Sequence, residues 1–267
     1  MSQEPKKMKG ISQEQLLHCV NQFRSVLETD NGDWTVKGFI DIAKNIYTIS
    51  VDTKVISKIL ELMIFPALAA FAKENNYIME LSKEQNHYPD ITFITKNKEK
   101  IALDLKSAYR TKSEEVSGFT LGAFTGYFRD RKSNKNITYP YEKYSKHYIL
   151  GIIYSKSIEK VDERKIYALN NLEKIKSVVK NFEFIVQEKY KIASDHCGSG
   201  NTKNIGSIIK IEDLKAGNGI FSKLGVKIFD DYWKNYMTKE MAKNAELKNP
   251  PYSNIKQYLK YRNINNV

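Results

Sequence analysis

The sequence predicts an α/β or α+β protein, one sheet-containing domain with helices packed on it. Short apolar runs of strand length recur through the chain, and stretches with apolar residues three and four apart alternate with them. No repeat, heptad run or low-complexity linker divides the 267 residues, and 41% of them are hydrophobic, including 17 Tyr and 12 Phe. That is enough to fill a core and too much for a disordered chain.

Taken in order, Ser12-Gln13-Glu14-Gln15 has the spacing of a capping box and predicts a helix to about Val26. Residues 34–40 alternate loosely and read as a strand. Asp52 or Thr53 can cap a long helix that puts Ile56, Ile59, Leu60 and Met63 on one face, with a kink expected before Pro66. Strand-like runs follow at 77–81, 91–95, 100–106 and 148–154, and 182–186 with 189–193 reads as a further pair. Residues 230–236 and 252–261 read as helices. The Gly-rich stretches 198–202 and 217–219 have neither Walker A nor dinucleotide-binding spacing. The first is polar and adjoins Lys203. It suits either an ordinary surface turn or a loop that follows a DNA groove.

Charge narrows the partners. Lys and Arg total 43 against 31 acids, a net charge of +12. A basic surface suits nucleic acid, while an AT-rich genome also enriches Lys, Asn and Ile, so charge alone leaves both readings open. The apolar stretch 63–72 is interrupted by Pro66 and short for a bilayer span, and polar residues follow the basic N-terminus. No membrane is expected. The two cysteines, Cys19 and Cys197, lie far apart, as in a reduced, cytoplasmic protein. His18, His87, His147 and His196 share no metal-ligand spacing. Asn249-Pro250-Pro251-Tyr252 matches an adenine methyltransferase motif, but it follows polar, Lys-rich sequence and reads as a turn before the last helix.

The chemistry concentrates at residues 101–106. Strand alternation sets Ile101, Leu103 and Leu105 on one face and Ala102, Asp104 and Lys106 on the other. The apolar face can enter the core while Asp104 and Lys106 point into a cleft. Pro89 ends the preceding loop with Asp90 at the start of the run 91–95. If the two strands are neighbours, Asp90 and Asp104 can converge on one cation. Phosphodiester hydrolysis uses such a set: carboxylates hold a hard cation that neutralises phosphate and acidifies a water, and a lysine orients or deprotonates that water. Asp-Xaa-Lys also arises by chance in a Lys-rich chain, where it is a surface salt bridge on an edge strand.

Pro-Asp, a gap and Asp-Xaa-Lys form the signature of the PD-(D/E)xK nucleases, and the chain resembles the EcoRV-type type II restriction endonucleases of that superfamily. The resemblance rests on Asp52-Thr53-Lys54-Val55, Gln85-Asn86-His87-Tyr88-Pro89-Asp90, Asp104-Leu105-Lys106 and Phe119-Thr120-Leu121-Gly122. It continues through Gly198 to Thr202, Asn204-Ile205-Gly206-Ser207, Gly219-Ile220-Phe221 and Asp231-Tyr232-Trp233. It is weak at the N-terminus, over 156–190 and after Met237.

The resemblance implies a restriction-endonuclease-like fold, a mixed β-sheet flanked by helices in a single domain over 1–267. It further implies a dimerisation portion in roughly the first 75 residues and a DNA-recognition loop at 198–204. The expected partner is double-stranded palindromic DNA held by a homodimer, with Mg2+ as cofactor, Mn2+ as a substitute, and a separate methyltransferase protecting the host. Asp90 and Asp104 would ligate the metal, Glu61 would be an accessory catalytic and metal-binding carboxylate, and Lys106 would assist the attacking water. Gln85 and Asn86 would approach the minor groove. Gly198, Ser199, Gly200, Asn201 and Thr202 would read the major groove, with Thr120, Lys203 and Asn204 also on DNA. The implied target is GATATC, cut at its centre to blunt ends bearing 5′-phosphates. Ser107-Ala108 and Lys203 depart from the pattern, which has Thr-Thr and Thr there. A structure-specific repair or junction nuclease of the same superfamily and a non-catalytic DNA-binding protein are the alternative readings.

Overall fold

The alternating run 100–106 continues to Lys112, and the length of that strand organises the molecule. In the computed structural model, which describes residues 11–84, 86–158, 161–198 and 203–264, it forms β5 (Lys100–Lys112) at the middle of a mixed sheet. On one side β4 (Ile91–Ile94) and then β3 (Ile78–Leu81) pair antiparallel. On the other, β8 (Tyr144–Lys156) runs parallel to β5, and β10 (Val179–Glu188) pairs antiparallel with β8. A parallel pair requires a long crossover. Residues 113–143 supply it, carrying β6 (Glu115–Val116), which folds back on β5, and β7 (Thr120–Ala123).

Both faces of this sheet are covered, which is why β8 carries a continuous apolar run over 148–154. Ile101, Leu103, Leu150 and Ile152 face a core closed by α1 (Gln13–Gln22) and α3 (Thr53–Glu74). Ala102, Ala108, Ile149, Ile153 and Ile185 face a second core. That core is closed by a three-stranded sheet of β11 (Ala193–Cys197), β12 (Asn204–Ser207) and β7, and by α5 (Ile211–Ala216), α6 (Val226–Asn235), α7 (Lys239–Asn244) and α8 (Ile255–Tyr261). Residues 249–252 form the expected turn before α8, and the buried Tyr252 hydroxyl donates to the Tyr232 carbonyl at 2.6 Å.

The capping box forms, with Ser12 Oγ accepting from Gln15 N–H at 3.2 Å and Gln15 Oε1 from Ser12 N–H at 3.0 Å. The helix stops at Gln22 instead of Val26; Phe23 caps it, and the short helix α2 (Arg24–Leu27) follows. Asp52 caps α3, accepting from Lys54 and Val55 N–H. The helix is not ended by Pro66, because its buried stripe of Ile56, Leu60, Ile64, Leu68 and Phe71 continues past it. Burying those side chains outweighs the lost hydrogen bond and ring clash, a penalty of about 3 kcal/mol. At 22 residues α3 extends well beyond 63–72, and by length and composition it could cross a membrane; its buried stripe packs against the sheet.

Two strand expectations change. Only Gly38–Ile40 of the run 34–40 is a strand, β1, which joins β2 (Asn45–Thr48) and β9 (Ile166–Ala168) in a small antiparallel sheet. Trp34 is instead buried in the core. Residues 182–186 lie in β10, but 189–193 do not pair with them. Lys189–Ile192 turns as the short helix α4, because Gly219 N–H and Ile208 N–H take the Lys191 and Ile192 carbonyls at 2.6 and 2.9 Å.

Candidate active site

Register brings the two acids together. Ile91 pairs with Leu103, so Asp90 enters β4 opposite Asp104 on β5. Alternation then sends Asp104 and Lys106 to the same side. Asp90 Oδ2 accepts the Leu105 N–H at 2.7 Å, which holds its carboxylate against the neighbouring strand. The Lys106 ammonium lies 2.6 Å from Asp104 Oδ2 and 3.9 Å from Asp90 Oδ2. Asp104 is only 4% exposed, and its Oδ2 is in contact with the Lys106 ammonium.

Burial, then the neighbouring Asp104 charge, pushes the Asp90 carboxyl up to about 7, with Lys106 and the Leu105 N–H opposing. Burial alone would depress Lys106; Asp104 and Asp90 outweigh it and lift the ammonium above its ordinary value. A site that brings two largely buried carboxylates together and resists holding both charged is suited to a cation. The donors are hard oxygens, and Mg2+ and Mn2+ sites accept one or two protein carboxylates with water completing the shell.

A cleft of about 820 Å³ contains Asp90, Asp104 and Lys106. Asn86, Thr120 and Asn204 line the same cleft, so three of the residues expected on DNA open onto the acids. Thr120 and Asn204 begin the paired strands β7 and β12. The expected recognition loop joins β11 to β12, and its base is pinned by Gly198 N–H donating to the Asn204 carbonyl at 2.9 Å. The Lys203 carbonyl accepts the Phe124 N–H at 3.1 Å, tying the loop's other end to the chain after β7. Gln85, Ser199, Gly200, Asn201 and Thr202 lie outside the described residues.

Glu61 is placed differently. It lines an adjoining cleft that shares Asp90, and its carboxylate pairs with Lys58 at 2.7 Å. Among the described residues no three acidic, His or Cys side chains are grouped closely enough to hold a metal, and Glu61 lies near enough to add to the charges that raise the Lys106 ammonium. Ser107, where the pattern has Thr, meets Ser57 of α3, Oγ to Oγ, at 2.6 Å, and Ala108 packs in the second core.

Sequence reading missed the wall behind Asp104. Tyr88, Tyr127, Tyr141 and His147 stack there, with Tyr141 and His147 rings 4.1 Å apart and the Tyr88 hydroxyl 2.8 Å from His147 Nδ1. Lys189 is buried among them. Tyr88 sits inside a matched motif, but nothing in the local pattern of Tyr141, His147 or Lys189 announces convergence from three segments.

Comparison with known proteins places these observations in a family. The family model described as Restriction endonuclease EcoRV matches residues 30–263. The Type II restriction enzyme EcoRV of Escherichia coli is 38% identical over 237 residues, which is 88% of this chain and 93% of that enzyme. A solved NlaIV restriction endonuclease aligns over 94% of this chain and 96% of its own at 11% identity and a TM-score of 0.42, too loose a likeness to bear weight.

Proposed function

The chain belongs to the EcoRV restriction endonuclease family, type II enzymes that act on DNA, and on that premise we propose that it hydrolyses both strands of a short palindrome in double-stranded DNA with Mg2+. The observation that carries this is Asp90 set opposite Asp104 with the Lys106 ammonium between them. Asp90 and Asp104 would hold the metal, with Mn2+ as a substitute. When bound, it neutralises the phosphate and makes a water more acidic.

The chain's own groups do the rest. Lys106, fixed by both carboxylates, orients the attacking water and offsets the charge developing on phosphorus. The water's oxygen bonds to phosphorus and the bond to the 3′ oxygen breaks. That oxygen leaves with a proton as a 3′ hydroxyl, and the 5′ side keeps the phosphate. Glu61, in the adjoining cleft, acts as an accessory carboxylate. Gln85 and Asn86 approach the minor groove, the loop 198–204 reads the major groove, and Thr120 and Asn204 contact DNA between reader and acids.

A palindrome calls for a twofold protein, each subunit reading one half-site. The proposed homodimer is supported by the apolar side chains that β1, β2 and β9 leave exposed, Phe39, Ile40, Tyr47 and Ile166. Its proposed dimerisation portion, residues 1–75, holds the first three of them. We propose GATATC as the target, cut centrally to blunt ends, in a cytoplasm where a separate methyltransferase protects host DNA.

Plasmid DNA incubated with the protein and Mg2+, followed by sequencing of the fragment ends, tests the reading. Flush 5′-phosphorylated ends at one palindrome are expected. Ends without a common sequence would instead favour a structure-directed nuclease, and specific binding without cleavage a non-catalytic DNA-binding protein.

A further inference from the structure

Lys189 combines three features that packing alone does not explain. It is 1% exposed, and its ammonium has no hydrogen-bond partner among the described residues. It lies 5.0, 5.5 and 5.9 Å from the ring centres of Tyr88, Phe128 and Tyr141. It also lies against the cleft wall: a Cβ placed on Gly122 would come within 3.5 Å of the ammonium and 3.4 Å of the Tyr127 hydroxyl. Gly122 lines the cleft that holds Asp104. Gly122 thus meets both the cleft and the cation, with φ at +88°, a conformation that favours glycine.

A buried ammonium whose N–H groups find no acceptor is costly to fold, and aromatic faces repay only part of the cost. Burial pulls this ammonium down to about 8, with the Asp104 carboxylate the leading opposing influence, so it remains charged at neutral pH. The nearby Arg131 is already committed to Asp230 at 2.8 Å. Lys106 touches Asp104, and Lys189 lies across Gly122 from the cleft that holds them, close enough for its charge and that of Asp104 to act on each other.

Resting on the metal-dependent reading above, we propose that Lys189 is a positioning residue that acts through Asp104, a fixed positive charge that balances the carboxylate pair and weakens its hold on divalent cations until an anionic phosphate enters the cleft. Two lysines beside two acidic groups leave the empty site with little or no net negative charge. A phosphate in the cleft offsets Lys189 and strengthens the pull on the cation. Metal binding and DNA binding thereby favour each other.

The direction of the effect is set by charge. Removing one positive charge favours every cation in the site, but a divalent ion carries twice the charge of a proton that competes with it. The net result is tighter metal binding whether or not a carboxyl must first lose its proton.

The test uses DNA-free full-length protein, with Ca2+ and Mn2+ as probes and binding read from the rise in unfolding temperature with metal concentration. Lys189→Met keeps the stem and drops the charge. It is expected to bind both ions about tenfold more tightly than wild type. Its metal-free unfolding temperature should be no lower than wild type, an outcome that loss of a merely structural lysine would not give. Lys189→Gln, which also removes the charge, serves as the second variant. Wild-type binding with an unchanged constant in both variants overturns this proposal alone. No binding by wild type or either variant also overturns this proposal, while cleavage of DNA in EDTA would overturn the metal reading on which it rests. Loss of the fold in both variants makes Lys189 a structural residue and also overturns it.

Discussion

Asp90→Asn should make the metal-free protein more stable above neutral pH while destroying its activity. Asparagine keeps an oxygen to accept the Leu105 N–H and removes the charge that burial and Asp104 disfavour. The carboxyl is moved from an ordinary value near 4 to about 7, a difference equivalent to about 4 kcal/mol against the charged form at high pH. Its side chain is 28% exposed, so water relieves part of that, and about 2–4 kcal/mol is the working range. The folded-state value lies above the unfolded one. The carboxyl's contribution is therefore fully present below the unfolded value and is lost as pH rises through about 7. Wild type and Asp90→Asn should differ little near pH 4 and diverge from pH 5 to pH 8 in favour of the asparagine. Urea unfolding in EDTA at matched protein concentration measures the difference, which cancels the titration of groups remote from Asp90. A gap that stays constant from pH 5 to pH 8, or a more stable wild type at pH 8, would refute the reasoning.

Asp104→Ala should lose cleavage and stay folded, and Ca2+ should support specific binding by wild type without turnover, since it accepts looser oxygen geometry than Mg2+; cleavage at wild-type rate by the variant removes Asp104 from the site. If the +12 charge serves DNA, affinity should fall by roughly 10³–10⁵ between 50 and 200 mM salt, and a flat titration would make the charge compositional. Asn201→Ala should cost about 1–3 kcal/mol of discrimination per bidentate contact, doubled by twofold symmetry. Comparing cleavage of GATATC with its single-base variants measures this, and selectivity retained in full would move the reading to Gln85 or Asn86.

Much of the candidate site was legible because it follows strand periodicity. Asp104 and Lys106 are two apart and share a face in any strand, and Pro89-Asp90 sits next to one, so one assumption of strand adjacency predicted the pair that β4 and β5 form. The capping residues Ser12 and Asp52 were legible for the same reason, as their hydrogen bonds reach only two or three residues. Glu61 was harder to place, because its position depends on how α3 lies across the sheet, and there it pairs with Lys58. The run 189–193 looked like a strand because alternation cannot register that loops near Gly219 and Ile208 take its carbonyls.

The amino-acid order by itself determined the alternating acids, the helix caps, the buried character of β5 and β8, and the family motifs, all of which are local patterns. The parallel pairing of β5 with β8, the union of Thr120 and Asn204 with the acids in one cleft, and the burial of Lys189 behind Asp104 were decided by tertiary structure alone. Each joins segments far apart in sequence. The energy that holds them comes from two cores packed on opposite faces of one sheet, and a cation with no hydrogen-bond partner among the described residues persists there only because the surrounding fold leaves it nowhere else to go.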